Sequence, residues 1–208
     1  MSRPLLLLVI GLLALGLGWA AFFWKPATEL ADNTQPMQLA EAPQGGDFVL
    51  QSWQGPVALE DLRGKVVALY FGYTHCPDVC PVGLSYLSGA LKQLSAEEVG
   101  QVQALFISVD PARDSPEHLK DYVEYFHPAV LGVTGSDEAL TRVANLYGAA
   151  YYREEPEGST TNYAVDHSAN IYLIDRQGEL KQTLAHGASS NDILKGLREL
   201  IGSPVPAS

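Results

Sequence analysis

Cysteine is nearly absent from this chain of 208 residues; there are two, Cys76 and Cys80. Stability therefore cannot rest on a disulfide framework, and a chain of this length can bury a core without one. Basic residues are also few, 13 Lys and Arg against 24 Asp and Glu, for a net charge of −11. That balance argues against nucleic acid as a partner, because phosphate backbones are held by clustered cations. Charged residues make up only 18%, partly because the first 24 residues carry almost none. There is no internal repeat and no low-complexity block. No cysteine lies near the N-terminal apolar segment, which excludes a lipoprotein anchor.

That segment, Pro4 to Trp24, is 21 residues without a charge. At about 1.5 Å per residue it is long enough to span a bilayer as a helix. Gly11, Gly16 and Gly18 are tolerated there, and Phe22-Phe23-Trp24 forms an interfacial aromatic belt. Arg3 precedes the span, so the positive-inside rule places the N-terminus in the cytoplasm, although Lys25 weakens the contrast. A cleaved signal peptide is the alternative, with Ala20 and Ala21 as a weak cleavage site and an unusually long apolar core. The expected organisation is a single-pass inner-membrane anchor over 1–24, a tether over 25–46, and a folded domain over 47–203 in the periplasm. The tether is marked by Pro26, Pro36, Pro43, Gly45 and Gly46 and lacks an apolar period.

Within the domain, Phe48 to Ser52 reads as a first strand turning at Gln54-Gly55-Pro56, and Leu59 to Arg63 as a short turn or helix. Val66 to Phe71 is continuously apolar, as expected of a strand covered on both faces. Leu84, Leu87, Leu91 and Leu94 mark one face of a helix, with Pro81 in its first turn. Ala104 to Val109 is a second buried strand. Ser115 is a good N-cap and Pro116 a good first residue for a helix running to about Phe126. Val130 to Val133 is a short strand, and Ser136 caps another helix with Leu140, Val143, Ala144 and Tyr147 inward. Arg153 to Asn162 is polar and reads as an exposed loop or hairpin tip. Ile171 to Ile174 and Leu180 to Leu184 form a hairpin, and Ile193 to Ile201 is a last amphipathic helix. Strands alternating with helices, then a hairpin, then a helix, predict an α/β sandwich of thioredoxin type with extra central elements. Sites in such sheets form beyond the carboxyl ends of parallel strands. The Cys76–Cys80 turn and the Asp110–Asp114 turn both lie there and should be neighbours.

Two thiols between a strand and a helix are placed for chemistry, because helix N-termini favour thiolate. The spacing is C-x-x-x-C, and at helical pitch i and i+4 share a face, so both sulfurs could reach one metal ion or each other. A structural disulfide is the plainer alternative, but so short a loop restricts the unfolded chain by only about 2 kcal/mol. A metal site needs a third partner. Of the five histidines, His118 and His127 read as surface residues, His186 follows the hairpin, and His75 points away from Cys76 if the turn is extended. His167, preceded by Asp166 and followed closely by a strand, is the stronger candidate ligand, the alternative being a hydrogen-bonded core or loop histidine.

Three motifs carry a clear resemblance: Tyr70-Phe-Gly-Tyr-Thr-His-Cys-Pro-Asp-Val-Cys-Pro81, Ser108-Val-Asp110-Pro-Ala-Arg113-Asp114, and Val165-Asp166-His167-Ser168. In order and setting they resemble the Sco/SenC family of copper-binding assembly proteins, from about Asp47 to Ile201. The resemblance implies a membrane-tethered thioredoxin-like domain binding one copper, as Cu(I), Cu(II) or both, through Cys76, Cys80 and His167. It implies a role in assembling the binuclear copper centre of cytochrome c oxidase, by delivering metal, reducing the acceptor's cysteines, or both. The implied partners are the copper-bearing oxidase subunit and a copper donor protein or thiol reductant. Two thiolates and an imidazole suit Cu(I), whereas zinc prefers a fourth ligand. Asp166 is expected to orient His167, Asp78 to serve the helix dipole or as a weak outer ligand, and Asp110, Arg113 and Asp114 to brace the site. Rival readings are a thiol–disulfide oxidoreductase and a redox sensor using the Cys76–Cys80 pair. Against the first, oxidoreductases of this fold typically use C-x-x-C, and no proline stands beside His167-Ser168-Ala169. The peroxiredoxin pattern P-x-x-x-T-x-x-C is absent as well.

Overall fold

The computed structural model describes residues 43–154 and 164–202, together with Leu15 and Trp19, with backbone alone at 153, 154 and 164–167. The expected anchor and most of the expected tether fall outside the described residues. Leu15 and Trp19 are helical. Among the described residues no helix is long and apolar enough to cross a membrane.

The first elements are a hairpin of β1 (Val49–Ser52) and β2 (Gly55–Ala58), then a 3-10 turn at Leu59–Leu62. Next come β3 (Val66–Gly72), α1 (Val79–Leu91), α2 (Ala96–Gly100), β4 (Val102–Ser108) and α3 (Pro116–Glu124). They are followed by β5 (Val130–Val133), α4 (Asp137–Tyr147), β6 (Tyr151–Glu154) and β7 (Ala164–His167). The chain ends in β8 (Ile171–Ile174), β9 (Leu180–Leu184) and α5 (Ser190–Ile201). The central sheet has the order β5-β4-β3-β8-β9. Strands β3, β4 and β5 are parallel, and β8 and β9 add antiparallel at the other edge. This is the thioredoxin-like arrangement, with the β1–β2 and β6–β7 ribbons as additions.

The middle strand explains the layering. Side chains alternate across a strand, so Val67, Leu69 and Phe71 enter one core with Leu140, Val143 and Tyr147 of α4. Val66, Ala68 and Tyr70 enter the other, with Leu84, Leu87 and Leu91 of α1, Leu119 of α3 and Ile193 and Leu197 of α5. Every residue of β3 is buried, which is why it reads as one apolar run. Helix starts are set by caps. The Ser115 and Ser136 hydroxyls accept from the backbone N–H groups of His118 and Ala139 at 3.2 Å each.

Two elements differ from expectation. Gly55-Pro56 is not a turn but opens β2; the turn is Trp53-Gln54, closed by Gln54 N–H donating to Ser52 Oγ at 3.1 Å. Pro56 is tolerated because this short strand lies at an edge, where a missing N–H costs no ladder bond. Helix α2 was not expected, although Ser95 and Glu98 form a full capping box. Both flanks of the polar 153–162 stretch are paired strands, as the hairpin-tip reading expects, with Tyr151 opposite His167 and Glu154 opposite Ala164; residues 155–163 lie outside the described residues. Pairing satisfies the backbone of this ribbon without an apolar period to announce its strands.

Gly72, at the end of β3, has no room for a side chain: a Cβ there would lie 2.6 Å from Cys80 Sγ and 2.7 Å from the Phe106 ring. Gly72→Ala is expected to cost about 2 kcal/mol by overpacking, read as a lower urea midpoint at unchanged m-value. An unchanged midpoint would mean that Cys80 and Phe106 are not fixed against this backbone.

Candidate metal centre

The centre is built from two loops at the carboxyl ends of β3 and β4. The ends are joined by backbone, Val109 N–H donating to Gly72 O at 2.9 Å. Beyond Gly72 the chain turns through Tyr73–Asp78 before α1 begins at Val79. Cys76 therefore lies in the turn, and Cys80 is the second residue of the helix. The shared helical face expected for i and i+4 is not what joins them. The turn folds back, Cys76 N–H donating to Tyr73 O at 3.3 Å, so that Cys80 N–H donates to Cys76 Sγ at 3.4 Å.

Both side chains are thiols within the same core cluster as Phe71, Tyr73 and Tyr147. Cys80 is 0% exposed and Cys76 8%. The expected preference for thiolate does not hold for Cys80. Its pKa is pushed far up, first by the hydrogen bond with Cys76 and then by burial, against a lowering from the Tyr73 backbone. These outweigh a helix dipole, worth about 0.3–1 kcal/mol at an ordinary terminus. The buried phenols of Tyr70 and Tyr122 are also pushed up, by burial first and then by the nearby Cys80 and Cys76. Tyr70 donates to Val79 O at 3.0 Å and so ties β3 to the start of α1.

The second loop is the brace. Asp114 is fully buried, and three donors reach its carboxylate. Thr74 N–H (2.9 Å) and Ser108 Oγ–H (2.5 Å) donate to Oδ2, and Thr74 Oγ1–H (2.5 Å) donates to Oδ1. Asp110, also fully buried, pairs with Arg113 Nε, and its backbone oxygen accepts from Asp114 N–H at 3.0 Å. The Arg113 guanidinium lies 5.6 Å from the centre of the Tyr73 ring. The two loops are thus neighbours, as the strand ends required. Spacing did not single out Thr74 and Ser108, although both stand inside quoted motifs.

The other candidates fall as follows. His167 ends β7 opposite Tyr151, whose side chain packs against the core cluster that holds both cysteines. The side chains of His167 and Asp166 lie outside the described residues. Asp78 takes the N-cap position without a side-chain capping bond. His127 is half-buried, its pKa lowered by burial and then by Lys92. His186 is exposed in a turn. His118 is exposed, as the surface reading expects, and its Nε2 lies 3.1 Å from Thr74 Oγ1. Among the described residues, no three His, Cys, Asp or Glu side chains form a metal cage. A cavity of about 250 Å³ between the first hairpin and α3 is lined by Trp53, Lys120 and Val123 and contains neither cysteine.

The SCO1/SenC family profile matches residues 36–202. The chain belongs to the SCO1/SenC family. It is 37% identical over 204 residues to the mitochondrial protein SCO2 homolog of mouse, covering 95% of this chain and 78% of that one. Yeast Sco1, solved with copper bound, superposes with a TM-score of 0.70 at 36% identity, covering 78% of this chain and 91% of that one. Apo Sco1 of Thermus thermophilus superposes at 0.69 with 37% identity, covering 77% and 93%.

Three outcomes test this geometry. Asp114→Ala leaves Thr74 N–H and the Ser108 hydroxyl without their acceptor and should cost about 3 kcal/mol in urea unfolding; a loss below about 1 kcal/mol would deny the brace. Alkylation of the reduced native protein at pH 8 should label Cys76 before Cys80, read by peptide mass. Because Cys80 holds its proton more tightly folded than unfolded, apo stability should fall as pH rises above about 8.5, where the unfolded thiol ionises first.

Proposed function

We propose that this chain is a membrane-anchored copper chaperone that binds one copper through Cys76, Cys80 and His167 and serves assembly of the binuclear copper centre of cytochrome c oxidase. The observation that carries the reading is the fold-back of the 76–80 turn, which sets the Cys80 backbone 3.4 Å from Cys76 Sγ inside one buried cluster. Two neighbouring thiols, hydrogen-bonded to each other within an apolar wall, fit a soft ion better than a hard one. Family membership and the solved copper-bound yeast relative support copper as the cargo. His167 as third ligand is supported by the family motif in which it stands and by the backbone register of β7, opposite a residue packed on the cysteine cluster. A neutral imidazole and two thiolates give Cu(I) a net single negative site in a trigonal set.

The protons matter to the mechanism. Apo Cys80 keeps its proton, because the hydrogen bond with Cys76 and then burial disfavour thiolate there. Copper must displace it, so loading releases protons and affinity rises with pH. The Asp114 brace keeps the loop folded back while the ion comes and goes. The anchor reading places residues 4–24 in the inner membrane and this domain outside the cytoplasm, within reach of an oxidase subunit.

A second reading uses the same pair as a redox couple. The closeness of Cys76 to Cys80 favours it equally, since a disulfide needs sulfurs within bonding reach. The two combine if the dithiol form loads copper and the disulfide does not, so that thiol state gates delivery.

The deciding experiment reduces the full-length chain in detergent without oxygen and offers one equivalent of Cu(I) against a competing chelator. Wild type should hold one copper, and Cys76→Ser, Cys80→Ser and His167→Ala should each weaken it at least tenfold, with the oxidised protein binding none. Indifference to His167→Ala would remove that ligand. Equal binding by the oxidised protein would end the gating idea. Weak binding by wild type would leave the redox reading standing.

A further inference from the structure

The β6–β7 ribbon stands apart from the central sheet. Among the described residues its strands pair with each other and with no strand of the five-stranded sheet. Its base is closed twice: Ser168 N–H donates to Ala150 O at 2.7 Å, and Ala150 N–H donates to Ser168 Oγ at 2.9 Å. Those bonds fix where the ribbon begins. They do not fix the angle at which it leaves, because a two-stranded ribbon is marginally stable by itself and twists readily.

Tyr151 supplies that constraint. Its side chain is partly buried against the core cluster that holds Cys76 and Cys80. Its hydroxyl shares a hydrogen bond of 3.0 Å with Thr141 Oγ1. Thr141 lies in α4, whose inner residues Val143, Ala144 and Tyr147 belong to the same cluster. Tyr152, one residue further on, is 69% exposed, as alternation along a strand requires. One tyrosine of the pair thus anchors the ribbon and the other does not. The anchored one stands opposite His167. Cα atoms of residues paired in this way lie about 4.5–5.5 Å apart, so a displacement of Tyr151 passes directly to the backbone of His167.

We propose that Tyr151, held by Thr141, is the positioning residue that sets His167 against the Cys76–Cys80 pair. The proposal rests on His167 as third ligand, as in the reading above. A metal ligand works only when held within about half an ångström of its place, and the groups behind a ligand are what hold it. The cysteine turn has such a support in Asp114 and its three donors. The ribbon is a separate piece of chain, and that brace does not reach it, so the third ligand needs a support of its own. Tyr151 provides one from α4, on the cluster that the cysteines occupy. Loosening this latch leaves all three ligands in the chain. It lowers the fraction of apo molecules whose ribbon is in place, and apparent affinity falls with that fraction.

The test uses the full-length chain, reduced in detergent without oxygen and titrated with Cu(I) against a competing chelator. Amide exchange of the apo ribbon is followed alongside by mass spectrometry. Tyr151→Phe and Thr141→Val each remove the shared hydrogen bond. Each should lower copper affinity about threefold to tenfold, the range one neutral hydrogen bond can supply. The two together should cost no more than either alone, because they break the same contact. Exchange in β6 and β7 should quicken several-fold at an unchanged urea midpoint, and Tyr152→Phe should alter none of these. With His167→Ala already in place, neither latch variant should weaken copper further, which separates positioning from general damage to the fold. Equal losses with and without His167, or ribbon exchange unmoved by Tyr151→Phe, overturn the latch and leave the ligand reading standing. Quicker exchange in a protein whose copper affinity is indifferent to His167→Ala overturns the ligand reading, and the positioning role with it.

Discussion

Asp114 sits fully buried and receives Thr74 N–H, Thr74 Oγ1–H and Ser108 Oγ–H, so one carboxylate holds residues 40 positions apart in sequence. A buried carboxylate is expensive without donors and strongly directional with them. Here the donors come from the end of β4 and from the loop after β3. The cysteine turn consequently has one position relative to the sheet. Gly72 completes the constraint from below, because its bare Cα lets Cys80 Sγ and the Phe106 ring close over the strand end. The neighbouring Asp110–Arg113 pair, with Arg113 over Tyr73, stiffens the same wall.

This rigidity has a chemical consequence for the thiols. Cys80 is sealed in the core, whereas Cys76 reaches the edge of it. The hydrogen bond with Cys76 and burial make the protonated thiol the resting form of Cys80, in opposition to the helix-terminus effect. A soft cation bound by the pair would reverse that preference by supplying the positive charge that the core lacks. Loading and loss of protons would then be two faces of one equilibrium.

Thr74 links the brace to the surface. Its hydroxyl donates inward to Asp114 and accepts outward from His75 and His118. A single side chain therefore couples the buried acid, the cysteine loop and the first turn of α3. His118 reaches that position only because the Ser115 cap and Pro116 start the helix where they do.

Much of this was legible in the residues. Val66 to Phe71 announced a strand covered on both faces because the run is continuously apolar, and Ser115-Pro116 announced a helix start because cap chemistry is local. The adjacency of the two loops followed from parallel strands, whose carboxyl ends must lie together. What local chemistry could not supply were contacts between distant segments. The β6–β7 ribbon has no apolar alternation, so only pairing reveals it. The link from His118 to Thr74 spans 44 residues, and nothing in the α3 sequence marks that ring as facing the cysteine loop. The direction of the Cys80 pKa depended on burial, which spacing does not encode. By itself the sequence determined the elements, the thioredoxin-like class and the two thiols in one turn, because propensity, capping and periodicity act over a few residues. Only the tertiary structure decided how Cys76 meets Cys80, which acid braces them and which histidines stand at the mouth, because burial and long-range hydrogen bonds exist only once the chain has packed.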